Sequence, residues 1–279
     1  MKIGDAIRNS NICKTEARSL MRAITGFEIP YIIANEEVQL GEEERKNFIN
    51  ISQRRGSGQP MGYLLREKEF FGSVFMIGRE VLIPRPETEL LVELVLISLR
   101  DRRSPKLLEL GTGSGAIAIS LLLNHFTVMV TAIDVSGPAL RLARENAIRL
   151  LNDLTRIEFI ESDWYAEVLK KANYDVIVAN PPYVPDGDVH LTKGDLRFEP
   201  SIALLGGSDG LSHIRKIVGN AGDYLVDNGW LILEHGFDQS KDIKKIFEIN
   251  GYQHITQKKD LAGSLRVTVG RLKKPIDYK

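Results

Sequence analysis

The spacing of apolar positions changes along the chain. In the first sixty or so residues it is helical: Ala17, Leu20, Met21 and Ile24 fall at i, i+3, i+4 and i+7, and Gly26 is placed to end that helix. Glu42 to Lys46 reads as a solvated helix face. RRGSGQPMG, residues 54–62, supplies turn chemistry and a boundary. From Tyr63 to Ile83, short apolar runs broken by Gly72 and Gly78 predict a β-hairpin. IPRPETE follows. Pro86 suits a first helical position, and Glu87 and Glu89 suit the positive end of a helix dipole, so a helix is expected through about Arg100.

Beyond Arg100, strands and helices alternate. LLEL (107–110), VMVTAI (128–133), IEFIE, DVIVAN and WLILE read as strands. Between them, Leu140, Ala143, Ala147 and Leu150 mark one helix face. Ile214, Ile217, Val218, Ala221 and Leu225 mark another, with a stop at Asn228-Gly229. A last helix closes at Gly251, and YQHIT and LRVTV lie too close together for a helix between them, which predicts an antiparallel pair at a sheet edge. Such alternation means a doubly wound α/β fold with a mostly parallel sheet. Ligands bind these sheets at the carboxyl ends of the strands.

Composition narrows the picture modestly. Thirty-seven Lys/Arg balance thirty-seven Asp/Glu across 279 residues, so no global field draws the chain to nucleic acid or membrane. The single Cys13 excludes an internal disulfide, and five scattered histidines give no metal-binding pattern. The N-terminal MKIGDAIRNSNICKTEARSL lacks the apolar core of a signal peptide, and LLVELVLISL is about half a membrane span. A cytoplasmic location is the expectation.

Four strand ends carry candidate chemistry. ELGTGSGA places glycines at 111, 113 and 115, where the backbone can turn sharply and approach a ligand, although a plain tight turn fits as well. It has no P-loop lysine, and Ala116 replaces the last glycine of a dinucleotide fingerprint. Asp134, at the end of AIDV, sits where a carboxylate grips ribose hydroxyls, or else caps a helix. In IESDWY, Asp163 can accept from an adenine amino group, and Trp164 can pack on a purine or fill core. The fourth end is Asn180-Pro181-Pro182-Tyr183, after the apolar run VIVA. Prolines end a strand and stiffen the turn. The Asn180 side-chain oxygen and the Pro181 carbonyl can accept both hydrogens of an NH2 group, with Tyr183 stacked on its planar system. The first three ends describe an adenosine pocket, and the missing lysine favours a carboxylate-bearing nucleoside such as S-adenosylmethionine. An amide nitrogen beside its methyl group needs alignment and acceptors rather than a base.

These residues closely resemble the class I methyltransferases and, among them, the release-factor glutamine methyltransferase family. QPMGYLLREKEFFGSVFMIGREVLIPRPETELLVE (59–93), FEPSIALLGGSDGLSHIRKI (198–217), GWLILEHG and GSLRVTV extend the likeness over nearly the whole chain. The resemblance implies a Rossmann-like, seven-stranded sheet. It implies a helical N-terminal substrate-recognition domain at 1–62, a β-hairpin linker at 63–86 and a methyltransferase domain at 87–279. The implied reaction moves methyl from S-adenosylmethionine, leaving S-adenosylhomocysteine, to N5 of the glutamine in a release factor's Gly-Gly-Gln motif. Gly111, Thr112, Gly113, Ser114, Gly115, Asp134, Trp164 and Asn180 would bind cofactor, and Asn180, Pro181, Pro182 and Tyr183 would hold the glutamine. Arg85 and Glu199 match family motifs and suit packing or lid formation; His235 receives no role.

The nearest rival is an adenine-N6 methyltransferase of DNA or RNA, whose exocyclic amine fits the same clamp. It would need a basic surface and an extruded base. The first 62 residues hold nine Lys/Arg and eight Asp/Glu, so no stable nucleic-acid binding is expected. A nicotinamide-dependent oxidoreductase would leave NPPY without purpose, and a non-catalytic module would leave the whole constellation without one.

Overall fold

A computed structural model describes residues 1–170 and 173–273. The chain divides into two compact units, the first comprising Met1–Lys68 with His190–Phe198 and the second holding the remainder. The first is helical: α1 (Ile3–Arg8), α2 (Lys14–Thr25), α3 (Ile29–Ala34), α4 (Glu42–Gly56) and α5 (Met61–Leu65). Ala17, Leu20 and Met21 of α2 are fully buried with Ile3, Ile32 and Phe48. Gly26 ends α2 in the left-handed conformation, at φ 72°. α5 was not expected. Tyr63 and Leu64, read as the start of the hairpin, are helical and buried, Leu64 within the core of this unit. The unit therefore runs to Lys68 rather than ending at Gly62. The hairpin itself is short, β1 (Glu67–Phe70) and β2 (Ser73–Met76).

In the second unit a 3-10 turn at Pro86–Thr88 leads into α6 (Glu89–Leu99). The following elements are β3 (Lys106–Leu110), α7 (Ala116–Asn124), β4 (Met129–Asp134), α8 (Gly137–Leu150), β5 (Ile157–Glu161) and β6 (Tyr174–Ala179). Then come α9 (Ser212–Asn220), β7 (Leu225–Glu234), α10 (Ser240–Ile249), β8 (Tyr252–Lys259) and β9 (Leu265–Leu272). The seven-stranded sheet has the order β5-β4-β3-β6-β7-β9-β8. β3 through β7 are parallel neighbours, and β9 runs antiparallel to both β7 and β8 at the predicted edge. Leu108, Leu110, Ile177, Ala179, Leu231 and Leu233 face one side, against α9 and α10. Leu107, Val176, Val178 and Ile232 alternate to the other side and are equally buried. Burial of both faces is why these strands read as continuous apolar runs.

One expected helix is shorter than its periodicity suggests. Leu225 belongs to β7, paired with Tyr174, and Asn228-Gly229 lies inside that strand rather than at a helix stop. A register shift between Tyr174 and Val176 absorbs the extra residues, and Asn228 takes φ 60° there. Among the described residues, no helix is long and apolar enough to cross a membrane.

The site is positioned by topology. From β3 the chain steps outward through β4 to β5, then returns to lay β6 on the other side of β3. This reversal opens a crevice at the carboxyl ends of β3 and β6. Leu110 pairs with both Ile133 and Ala179, and Ala179 with Leu233. Gly111, Asp134, Asn180 and Glu234 consequently leave the sheet at one level.

Gly115, which precedes α7 at φ 81°, tests the packing beside that crevice. A Cβ there would lie 2.9 Å from Ile119 Cδ1 and 3.3 Å from Ala143 Cβ on α8, whereas one at Gly113 (φ 55°) would meet nothing within 4 Å. Gly115→Ala combines left-handed strain with overpacking and should cost roughly 2–4 kcal/mol. Gly113→Ala carries the strain alone and should cost about 1–2 kcal/mol. Urea denaturation of the two variants measures the difference.

Candidate active site

A cleft of about 260 Å³ opens at this switch point. It is lined by the glycine loop (Gly111 to Ser114), Asp134, Asp163, Trp164, Asn180 and Pro182. Leu82, Pro84, Arg85 and Thr88 from the segment before α6 complete the wall, with Ile202, Ala203 and His213.

Each expected residue can now be placed. The loop N–H groups are mostly used by the protein: Gly111 and Thr112 donate to Ile133 O, Gly113 to Asp134 and Gly115 to Thr112 O. Gly111 and Gly113 keep their backbone free of a Cβ at the cleft, while Gly115 is required by the α7–α8 contact. The Thr112 hydroxyl donates to Glu109 Oε2 at 2.8 Å, and Ser114 is held through its carbonyl by Asn146 Nδ2 at 2.9 Å. Asp134 accepts from Gly113 N through Oδ2 (2.8 Å) and from Ser136 N through Oδ1 (2.9 Å). One carboxylate thus sets the loop from the wall of the cleft. Burial pushes the Asp134 carboxyl upward against the N–H groups of Ser136, Gly113 and Val135.

Asp163 pairs with Lys216 Nζ at 2.9 Å, so a ligand amine would share that carboxylate. Trp164 is a non-glycine residue at φ 54°, and its ring lies beside Gly111 and 5.4 Å from the His213 ring. A bulky side chain in that conformation is a local cost that the surrounding fold sustains.

The fourth strand end divides. Asn180 and Pro182 line the cleft; Pro181 is buried and Tyr183 is turned away from it. The Tyr183 hydroxyl reaches Glu234 Oε1 at 3.3 Å, and burial raises its pKa above the usual phenol range. Asn180 Nδ2 donates to Thr88 Oγ1 at 3.2 Å, while among the described residues no hydrogen bond engages Asn180 Oδ1 or the Pro181 carbonyl. The turn after it is clamped by SIALLGGSDG and by Gln239: Val184 N donates to Leu204 O, Gly206 N to Val184 O and Gln239 Nε2 to Tyr183 O, each within 3 Å.

Known proteins resemble this chain. Family models described as the methyltransferase small domain and the PrmC N-terminal domain match residues 87–198 and 8–65. A release factor glutamine methyltransferase of Neisseria gonorrhoeae is 41% identical over 96% of this chain and 96% of its own. The chain belongs to the release factor glutamine methyltransferase family. Relatives of that name from Vibrio cholerae (44% identical, 79% of this chain and 76% of the relative) and Salmonella typhimurium (36%, 95% and 94%) agree. Among solved structures, the hMettl16 catalytic domain is 17% identical over 88% of this chain and 87% of that one, with a TM-score of 0.58. A methyltransferase from Pyrococcus furiosus is 22% identical over 81% and 99%, with a TM-score of 0.52. At these identities the two structures share the fold.

In this family member several residues at the site carry no sequence signal of their own. Thr88 and Glu234 stand behind the amide of Asn180 and the hydroxyl of Tyr183. Glu199, with a fully buried side chain, pairs with Arg85 and accepts from Ile83 N, tying the cleft's proline-rich wall to the FEPS segment. His235 is structural: its Nδ1 donates to Gly236 O at 2.8 Å, so Nε2 accepts from Thr268 Oγ1 at 2.9 Å. Burial keeps it neutral. A Glu just before the glycine loop, in a strand otherwise apolar, was the one visible anomaly. Glu109 is buried and accepts from Thr112 and from Ala118 N, and among the described residues its Oε1 has no hydrogen-bond partner.

Burial pushes the Glu109 carboxyl up to about 8. The folded protein therefore holds a proton there that the unfolded chain, titrating near 4.5, releases. That difference favours folding only at low pH and is lost as pH rises from about 4.5 to 8. Glu109→Gln removes it, so the variant's stability relative to the parent should climb between pH 5 and pH 8 and then level off. Denaturation midpoints measured across that range give the slope.

Proposed function

We propose that this protein transfers the methyl group of S-adenosylmethionine to the side-chain nitrogen of the glutamine in the Gly-Gly-Gln motif of peptide chain release factors. The carrying observation is Asn180, whose amide gives its nitrogen to Thr88 and so offers its oxygen at the wall of the cleft. The names of the relatives support the substrate.

The cleft's chemistry fits the cofactor. Gly111 and Gly113 leave room for close approach, and Asp134 lines the cleft, where it would accept from the ribose. Asp163 can take an adenine amine, and Trp164 offers a face to the purine. S-adenosylmethionine, when bound, supplies an electrophilic methyl on a sulfonium. The protein's task is to present an amide nitrogen whose lone pair is delocalised. Asn180 Oδ1 and the Pro181 carbonyl would each accept one hydrogen of the substrate NH2, fixing the nitrogen and strengthening as positive charge develops on it. Pro182 would border the amide plane, and Tyr183, bonded to Glu234, would brace the turn behind it. No side chain need remove a proton first. The helical unit would recognise the release factor protein. A nucleic-acid substrate finds no support in a helical segment of balanced charge, and release factor glutamine is what the relatives' names specify.

Incubation of purified release factor with labelled S-adenosylmethionine, followed by mass spectrometry of the Gly-Gly-Gln peptide, should show one added methyl. Methylated oligonucleotide beside unmodified release factor would overturn the substrate. Asn180→Ala should lower turnover by at least about 10²-fold while part of the cofactor affinity survives.

Asp134→Ala removes charged hydrogen bonds worth about 1.5–3 kcal/mol each. Calorimetry should therefore show S-adenosylhomocysteine binding weakened at least about tenfold. Unchanged affinity would remove Asp134 from the cofactor site.

A further inference from the structure

Asn146 sits on the buried stripe of α8 with Ala143 and Ala147, and is itself fully buried. A carboxamide there is a poor helix former, and each polar atom left unpaired would be costly. Both of its hydrogens and its oxygen are in use. Oδ1 accepts from Met76 N at 2.7 Å, while Nδ2 donates to Met76 O at 3.0 Å and to Ser114 O at 2.9 Å. The partners fix which end is which, because an N–H meets the oxygen and two carbonyls meet the NH2. Ser114 O has no other donor among the described residues, since Ala118 N, one turn on, goes to Glu109.

These three bonds join two parts of the cleft wall. Ser114 lines the cleft on the glycine loop, and among the described residues no protein acceptor engages its own N–H. Met76 ends β2 and leads into the segment 77–85, which has neither helix nor strand. Glu80, Val81, Leu82, Pro84 and Arg85 of that segment line the cleft. Glu199 holds its far end through Ile83 N and Arg85. Asn146 holds its near end from outside the lining. We propose that Asn146 is a positioning residue for the cofactor, which ties the glycine loop to the start of the 77–85 wall and so fixes the separation between them. The inference rests on the cofactor reading above and extends it to a residue that touches neither cofactor nor substrate. An Asp in its place keeps the shape but turns a carboxylate oxygen toward two carbonyl oxygens, so loop and wall must part.

Calorimetry with S-adenosylhomocysteine is the first arm. Asn146→Asp should bind it at least about tenfold more weakly. Arg149→Ala is the control. It removes the bond from the exposed Arg149 Nη2 to Val74 O (2.6 Å), which ties the same helix to the same strand without reaching the loop. Its affinity should stay within about twofold of the parent's. In methylation of release factor, Asn146→Asp should raise KM for S-adenosylmethionine by the factor that calorimetry gives. Its kcat at saturating cofactor should stay within about threefold, the mark of lost cofactor binding rather than general damage. The third arm needs no variant. In the ¹⁵N-labelled parent protein the Asn146 NH2 signals, identified by their contacts with Met76 and Ser114, should move when S-adenosylhomocysteine saturates the site. Unchanged affinity in Asn146→Asp, equal weakening in Arg149→Ala, or a fall in kcat with KM unchanged would overturn the proposal. Should Asn146→Asp fail to fold, NH2 signals that ignore the ligand still overturn it. A parent that binds S-adenosylhomocysteine but leaves release factor unmethylated sinks the substrate reading alone, and the binding arms still decide Asn146. A parent that binds none overturns the cofactor reading and the role of Asn146 with it.

Discussion

A single hydrogen bond, from Asn180 Nδ2 to Thr88 Oγ1, decides which end of a carboxamide the cleft presents. The two ends of an amide have nearly the same shape and opposite hydrogen-bonding character, so the choice between them must come from a partner. For a site that has to accept from an NH2 group, the wrong choice is a donor facing a donor. The rest of the site can be understood as the means by which that bond, and the acceptor beside it, are held still.

The means are buried carboxyl groups. Asp134 grips Gly113 and Ser136, Glu109 grips Thr112 and Ala118, and Glu234 receives Tyr183. Each stands at or just behind the carboxyl edge of the sheet. Each is pushed upward in pKa by burial, and each is drawn back by the donors it fixes. Taking a carboxylate out of water is expensive unless it is hydrogen-bonded. Such groups are poor contributors to stability but effective in specifying geometry, since their donors have few other acceptors to choose. The left-handed Trp164 belongs to the same economy of local strain at a site held by its surroundings.

The helical unit and the cleft-bearing unit contrast in this respect. In the first, the buried positions are mainly apolar and follow helical spacing. The ion pairs of Arg8 with Asp5 and Glu36 lie at its surface, where such pairs contribute little. In the second, Glu109 and Glu234 are buried at the carboxyl edge of an apolar sheet, beside the candidate site.

Much of this was legible in the residues. Runs such as VIVA and LLEL had to be buried strands, the alternation with helices had to give a parallel sheet, and the order of strand ends placed the glycine loop, Asp134, Trp164 and Asn180 at one crevice. These follow from local periodicity and from the handed, short connections of α/β folds. Leu225 and Tyr63 misled for a related reason. An apolar residue at helical spacing also fits a strand start, and a short apolar run near glycines also fits a helical turn, until a partner selects one. What the tertiary structure alone decided is which polar end each site residue spends on the protein. Thr88 and Asn180 are 92 residues apart, and Tyr183 and Glu234 are 51 apart. No spacing rule connects them, because hydrogen bonds between distant segments leave no period in the chain. They exist only once the sheet register has brought Asn180 and Glu234 to the same level.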